Sequence, residues 1–370
     1  MKICILTLNL GENYGGILQA FALQYFLKKE GHSVETVQHC GNQKITFRLV
    51  LSILKQTAKK YLFFQKIDNV APEWAYIKRQ NRLYLHLKRF IKQNMILTPR
   101  INNFNKLNRR KYDAFIVGSD QVWRPKYNKY FFNEMFLSFV KGDRVKRIAF
   151  AASLGVSDLE FTSDQIDKAR LLLSKFDSIS VREDTGVDIC RKYFHLETQH
   201  VLDPTMLLYP SDYMELIALE ELPQNRSELW VYALDQSRDT VQLIQQIADL
   251  FHYQPCHFLP ELSKSTVYPP VNLLLKGVMG ANFVITDSFH GTVFSILFNK
   301  PFLVIDNKER GSTRLQSLLK TFHLQDRLVT NMGVPVAAQA KKPIDWENVN
   351  NLIEQERKLS IAFIHNALYL

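Results

Sequence analysis

The sequence is short of cysteine. Cys4, Cys40, Cys190 and Cys256 lie far apart in 370 residues with no CxxC pair, which argues against a disulfide framework or a cysteine-rich zinc site and leaves reduced thiols as the expectation. Long hydrophobic runs are missing as well, none approaching the roughly 20 residues that span a bilayer. Ile3–Leu8 is too short for a signal-peptide core and runs into Asn9 and Gly11 with no cleavage pattern, so it reads as the first buried strand of a soluble, cytoplasmic protein. The histidines show no HxxxH or HExxH spacing and the acids no DxD pair, so no tightly bound metal is expected. GxGxxG, GxSxG and a phosphate loop ending in Gly-Lys-Ser/Thr are all absent, which removes support for a nicotinamide cofactor, a nucleophile elbow or a P-loop.

Acid is scarce in one stretch. Between Gly41 and Lys111, 17 lysines and arginines stand against Asp68 and Glu73, a balance of +15 within a net +11, so the rest of the chain is at −4. A nucleic-acid binder would not be expected to confine its charge in this way, and nucleic acid is not an expected partner. Apolar residues make up 46% and charged residues 22% of the chain, with Gly and Pro ordinary. That composition excludes a disordered, collagen-like or coiled-coil chain, and the length allows two domains. Nothing in the sequence bears on oligomeric state.

What is present is an alternation of short apolar runs with longer amphipathic segments, the pattern of α/β layers around mostly parallel sheets. Expected strands are Ile3–Leu8, Val34–Gln38, Ala114–Val117, Arg147–Ala152, Ser178–Val181 and His200–Leu202, then Leu229–Ala233, Cys256–Leu259, Phe283–Thr286, Phe302–Ile305 and Arg327–Val329. Helices are expected at Tyr14–Glu30, Thr240–Phe251, Thr313–Phe322 and Trp346–Leu370. Two such series predict two doubly wound domains facing a cleft, with ligands at the carboxyl ends of strands.

Four loops after strands carry chemistry. Asn9 to Gly16 opens a helix with three glycines, where backbone and free N–H groups can approach an anion or a sugar hydroxyl; a turn that merely needs glycine is the other reading. Gly118-Ser119-Asp120-Gln121-Val122-Trp123 offers a sugar platform with Asp120 as a general base, or an N-cap with Trp123 in the core. Arg182 after its strand is either a carboxylate or phosphate clamp or the partner of Glu183 or Asp184. Thr286-Asp287-Ser288-Phe289-His290-Gly291-Thr292 places His290 where strand turns to helix, suited to proton transfer, with Asp287 and Ser288 available to orient it. Lys308, Arg310 and Arg314 around Gly311-Ser312-Thr313 form either a second anion pocket or a solvated helix start.

Taken in order, Asn13-Tyr14-Gly15-Gly16-Ile17-Leu18-Gln19-Ala20, the Gly118–Trp123 loop, Ser180-Val181-Arg182-Glu183, Asp203-Pro204-Thr205 and Thr286–Gly291 resemble the polysaccharide pyruvyl transferase family, as does Ser312-Thr313-Arg314-Leu315 through Leu328. The resemblance spans roughly residues 1–330 without the basic stretch. It implies a GT-B-like fold: a Rossmann-like domain over 1–209 with a basic helical insertion at about 41–111, a second over 210–345, and a helix at 346–370 packing back on the first. It implies transfer of the carboxyvinyl unit of phosphoenolpyruvate to two sugar hydroxyls of a bacterial surface polysaccharide precursor, giving a cyclic pyruvate ketal and phosphate, with no cofactor. It further implies that Arg182, His290, Ser288, Phe289, Gly291, Thr292 and Arg314 hold the donor, with His290, Arg182 and Asp120 catalytic. Asn13, Tyr14, Gly15, Gly16, Gln19, Ser119, Gln121 and Trp123 would then line the acceptor side.

The basic insertion mixes cations with large apolar residues, as in Lys44–Arg48, Lys59–Lys66 and Arg82–Phe90. Such helices can dock on the anionic inner leaflet of the cell membrane, bringing the enzyme to a lipid-linked acceptor, or can pack their apolar side on the core. Two other functions stay open: a GT-B glycosyltransferase using a nucleotide sugar, and a non-catalytic glycan or membrane-surface binding protein. Against the first, no Glu-x7-Glu pair follows His290.

Overall fold

A computed structural model describes residues 1–39, 72–142, 144–218, 228–235, 237–261, 263, 266–306, 311–330 and 336–370. Their strands form two all-parallel sheets. In the first, β1 (Lys2–Leu6), β2 (Ser33–Thr36), β3 (Ala114–Val117), β4 (Lys146–Ala152), β5 (Ser178–Val181) and β6 (Gln199–His200) lie in the order β2-β1-β3-β4-β5-β6. In the second, β7 (Leu229–Tyr232), β8 (Pro255–His257), β9 (Phe283–Thr286), β10 (Phe302–Ile305) and β11 (Leu328–Val329) are ordered β11-β10-β9-β7-β8. The central strands are continuous apolar runs because helices cover both faces: every residue of β3, β7 and β9 is buried.

Strand order reverses between β1 and β3 in one sheet and between β7 and β9 in the other. At these switch points neighbouring crossovers diverge to opposite faces and leave a crevice beyond the carboxyl ends. The loops at Asn9–Gly16 and Gly118–Gln121 leave the first crevice, and those at Leu234 and Asp287–His290 the second.

Four helices position these loops. Helix α1 (Tyr14–Lys29) starts at Asn13, whose side chain accepts from the N–H groups of Gly15 at 2.9 Å and Gly16 at 3.3 Å. Helix α2 (Phe289–Leu297) is buried along its whole length and capped by Ser288. Helix α3 (Ser312–Thr321) begins after Gly311, whose φ of +98° suits glycine. Helix α4 (Trp346–Tyr369) returns to the first sheet: Ser360 Oγ accepts from Leu202 N–H at 2.9 Å, Arg357 Nε donates to the Met206 carbonyl at 2.8 Å, and Phe363 packs on Phe150 of β4.

Part of the basic stretch is helical, at Pro72–Leu83 and Leu85–Asn94. In the second of these Leu87, Phe90 and Ile91 are buried, and Phe90 meets Phe21 of α1 edge-on at 5.6 Å. The apolar side of the Arg82–Phe90 run therefore packs on the core. The Lys44–Arg48 and Lys59–Lys66 runs and Cys40 lie outside the described residues. Among the described residues no helix is long and apolar enough to cross a membrane.

Candidate active site

The two switch points face one another across a cleft of about 400 Å³. Asn9, Glu12, Asn13 and Gly16 reach it from behind β1, and Asp120 and Gln121 from behind β3. Ser288, Phe289 and His290 reach it from the start of α2, and Gly311, Arg314 and Leu315 from the start of α3. The walls are close. A Cβ on Gly15 would stand 1.9 Å from His290 Nδ1, and one on Gly311 would stand 2.5 Å from the Gly155 carbonyl oxygen, so glycine is required at both contacts between the halves.

An ionic cluster forms the floor. Arg182, at the end of β5, has a side chain only 1% exposed. Its Nη1 donates to Asp203 Oδ2 at 2.6 Å and to Ser119 Oγ at 3.3 Å, and its Nη2 to Asp120 Oδ1 at 3.3 Å. The other oxygen of Asp203 accepts from Thr205 N–H at 3.0 Å and Thr205 Oγ1 at 2.7 Å. Burial alone would raise the Asp203 pKa. His290, Arg182 and Thr205 outweigh it and hold the carboxyl far below the usual carboxylate range. His290 Nε2 stands 3.7 Å from Asp203 Oδ2.

Asp120 leaves β3 in the left-handed region, with a φ of +67°, a conformation aspartate tolerates better than most residues. This turns its carboxylate between Arg182 and Arg314, whose Nη1 is 3.7 Å away. Burial again opposes ionisation, and the charges of Arg182, Arg314 and His290 prevail, so Asp120 is held below the ordinary carboxylate range. Arg314 is pulled down to about 10, first by burial and then by the Arg182 charge, although Asp120 opposes the shift. The Phe289 ring centre lies 4.5 Å from the Arg182 guanidinium and 5.6 Å from that of Arg314, so one aromatic ring serves both cations. Chemically, the cleft presents a cation (Arg314) and an imidazole (His290) on one wall. An ionised carboxylate (Asp120) and a glycine-rich helix start stand on the other. Among the described residues no group of three or more His, Cys, Asp or Glu could hold a metal.

Several expected site residues take other places. Trp123 does not face the cleft: it is fully buried, stacked on Phe136 at 5.4 Å, with Nε1 donating to the Met135 carbonyl at 3.0 Å. Tyr14 is buried against Phe258 and donates its hydroxyl to the Pro269 carbonyl at 2.7 Å, tying α1 to the second half. Gln19 is buried too. Its amide donates to Thr7 Oγ1 at 2.9 Å and accepts from Ser119 N–H at 3.1 Å, so it fixes the loop rather than a ligand. Ser119 and Thr292 are equally enclosed, bonded to Asp203 at 3.0 Å and to the Ser288 carbonyl at 3.0 Å. Gly15 packs under His290, and a Cβ on Gly291 would meet Thr286 Oγ1 at 2.3 Å, so both permit packing.

Arg182 lies below the cleft rather than on its wall. Its partners are Asp203 and Asp120, not Glu183 or Asp184. Glu183 Oε1 instead accepts from Ser153 Oγ and from the Leu154 and Gly155 N–H groups at 3.0, 2.8 and 2.9 Å, and Asp184 pairs with Lys320 of α3 at 2.9 Å. Asp287 does not orient His290: it accepts from the Leu234 and Asp235 N–H groups at 2.7 and 2.9 Å, joining the loops after β7 and β9. The Ser288 hydroxyl is taken up as an N-cap. Among the described residues the carboxylate nearest the His290 ring nitrogen is Asp203, which the sequence offered in the Asp203-Pro204-Thr205 motif without a role of its own. Its place after the last strand of the first sheet was the available signal. Lys308 and Arg310 lie outside the described residues.

Several solved structures share the fold. The chain is similar to the S. aureus MnaA–UDP co-structure (12% identity, 99% of this chain and 96% of that one, TM-score 0.50). It is similar to an Arabidopsis thaliana UGT complexed with UDP-L-rhamnose (9%, 100% and 99%, TM-score 0.52). It is also similar to an S. aureus TarM mutant in complex with Fondaparinux, α-GlcNAc-glycerol and UDP (10%, 100% and 100%, TM-score 0.51). At these identities the likeness establishes the GT-B fold alone. No curated protein sequence matches. The family described as polysaccharide pyruvyl transferase matches residues 13–309, from the cap of α1 through the whole of α2. With well over half of the chain inside that match, the chain belongs to the polysaccharide pyruvyl transferase family.

Proposed function

We propose that the chain moves the pyruvyl unit of phosphoenolpyruvate onto two hydroxyls of a sugar in a surface polysaccharide precursor. The carbon–oxygen bond to phosphate breaks, two bonds from sugar oxygens to the same carbon form, and the methylene becomes a methyl group. Of the two hydroxyl protons, one is balanced by the proton gained at that methyl and the other leaves with phosphate. No redox partner is needed. The observation that carries this reading is the pairing of Arg314 with His290 on one wall, over a buried network that keeps Asp120 and Asp203 ionised.

Each group has a role in the proposal. Arg314 and the free N–H groups at the start of α2 take the donor's anionic groups. His290 protonates the methylene carbon, which makes the neighbouring carbon electrophilic. Asp120 receives the proton of the attacking hydroxyl; its depressed pKa makes it a weak base but one that is always ionised at neutral pH. Arg182 and Asp203 act below them as positioning residues. Asn13, Gly16 and Gln121 line the acceptor side. A lipid-linked acceptor, presented at the inner leaflet, is part of the proposal.

Calorimetric titration tests the donor assignment. Phosphoenolpyruvate should bind the intact chain and lose at least about tenfold in affinity with Arg314→Ala. Binding of nucleotide sugars and none of phosphoenolpyruvate would favour a glycosyltransferase instead.

A further inference from the structure

A second cavity, of about 540 Å³, opens beside the first and shares Asn9 and Glu12 with it. It lies beyond the carboxyl ends of β1 and β2, roofed by the helical part of the basic stretch. Lys88, Lys92 and Arg100 line it. Among the described residues no carboxylate forms an ion pair with any of the three. Lys88 donates to the Asn81 side chain; its pKa is held down by burial, with Glu12 opposing and Arg100 adding to the shift, so these three charges feel one another.

The cavity also reaches His39, 6% exposed and packed between Phe104 at 5.8 Å and Phe131 at 5.4 Å. Among the described residues neither ring nitrogen makes a hydrogen bond of full geometry, and the Thr7 backbone is the polar group that approaches the ring. A buried imidazole satisfied so poorly is costly unless something supplies the missing bond. Three cations and one carboxylate, Glu12, around one cavity leave a positive balance of two and call for an anion of about two charges. Lysine and arginine both hold phosphoryl oxygens, and a neutral imidazole can donate to one.

We infer that this cavity binds the diphosphate of the acceptor, holding it beside the reaction cleft while the attached sugar reaches across Asn9 and Glu12. Assigning the diphosphate to the acceptor rests on the transfer reaction proposed above; the anion site itself does not. The same chemistry occurs in a nucleotide diphosphate and in an isoprenyl diphosphate carrier, and the basic surface is open to either.

The probe is inorganic pyrophosphate, titrated into the full chain at physiological ionic strength with no donor present. Lys92→Gln/Arg100→Gln alters two exposed side chains, so the fold is retained, and should weaken binding about tenfold or more. Unchanged affinity in that variant, or no binding to the parent, overturns the site. Loss of pyrophosphate affinity in Arg314→Ala but not in Lys92→Gln/Arg100→Gln would put the anion in the reaction cleft and also overturns it. Uridine diphosphate and geranyl diphosphate, titrated in parallel, separate the sources: the tighter of the two names the carrier, provided its affinity depends on Lys92 and Arg100. Pyrophosphate binding without any pyruvyl transfer would count against the reaction and leave the site standing. Transfer to a diphosphate-linked sugar with kcat/KM unchanged in the double variant would remove the site and leave the reaction.

Discussion

Replacing Asp203 by Asn removes one charge and almost no volume, and it isolates the network under the cleft. Asp203 is fully enclosed and meets Arg182 at 2.6 Å, so the variant leaves a buried guanidinium facing an amide. Breaking a buried pair from one side costs about 3–5 kcal/mol, a large share of the 5–15 kcal/mol that typically holds a folded protein together. At an m-value of about 2–3 kcal/mol/M, the urea midpoint should fall by about 1–2.5 M. Arg182→Met alone should cost as much, since it removes the cation that Asp203 and Asp120 share. The double variant Arg182→Met/Asp203→Asn should cost less than the two summed, with a coupling of about 0.5–3 kcal/mol. The pH dependence has a definite sign. The folded-state pKa of Asp203 is depressed, so its contribution is complete above the unfolded value of about 3.9 and is lost as pH falls further toward the folded value. The gap between parent and Asp203→Asn should be full at neutral pH and shrink below about pH 4. A single variant within about 0.5 kcal/mol of the parent, strict additivity, or a gap that widens in acid would refute the reasoning.

Three further outcomes are expected. His290→Asn should cut turnover by about 10²–10⁴-fold; a rate within tenfold of the parent contradicts its role. Gly15→Ala puts a Cβ 1.9 Å from His290 Nδ1, so turnover should collapse even though alanine favours a helix by about 1 kcal/mol; unchanged kinetics would mean the ring is not held against α1. Arg314→Lys keeps a charge but loses the planar fork beside Phe289, and should raise KM for phosphoenolpyruvate with a smaller effect on kcat; a purely kcat defect would place Arg314 in the chemistry instead.

Much of the fold is readable before any coordinates, because parallel strands buried on both faces must be short and apolar, as Ala114–Val117 and Phe283–Thr286 are. The positions of His290, Asp120 and Asn13 follow from the same logic: polar and glycine residues just after such runs belong to the ligand edge. Which way a side chain turns at that edge does not follow. Trp123 and Gln121 are neighbours in the chain, yet one enters the core and the other lines the cleft, because Asp120 in the left-handed region redirects the backbone between them and the strand. Long-range pairing is equally hidden. Arg182 has acids immediately after it and chooses Asp203, 21 positions on. Only adjacency of β5 and β6 in the sheet brings the two strand ends together. Tyr14 and Gln19 sit on the helix that opens the cleft but on its buried sides, and helical spacing alone does not say which neighbour each side meets.

The most direct test of the account is the reaction itself. Purified protein should release phosphate from phosphoenolpyruvate only when a suitable sugar is present, across a panel of galactose- and mannose-type acceptors that includes diphosphate-linked forms. The sugar product should gain one carboxyl-bearing ketal, seen by mass and by a new methyl resonance. Phosphate that stays bound in phosphoenolpyruvate across the panel, together with consumption of a nucleotide sugar by the same preparation, would contradict the account.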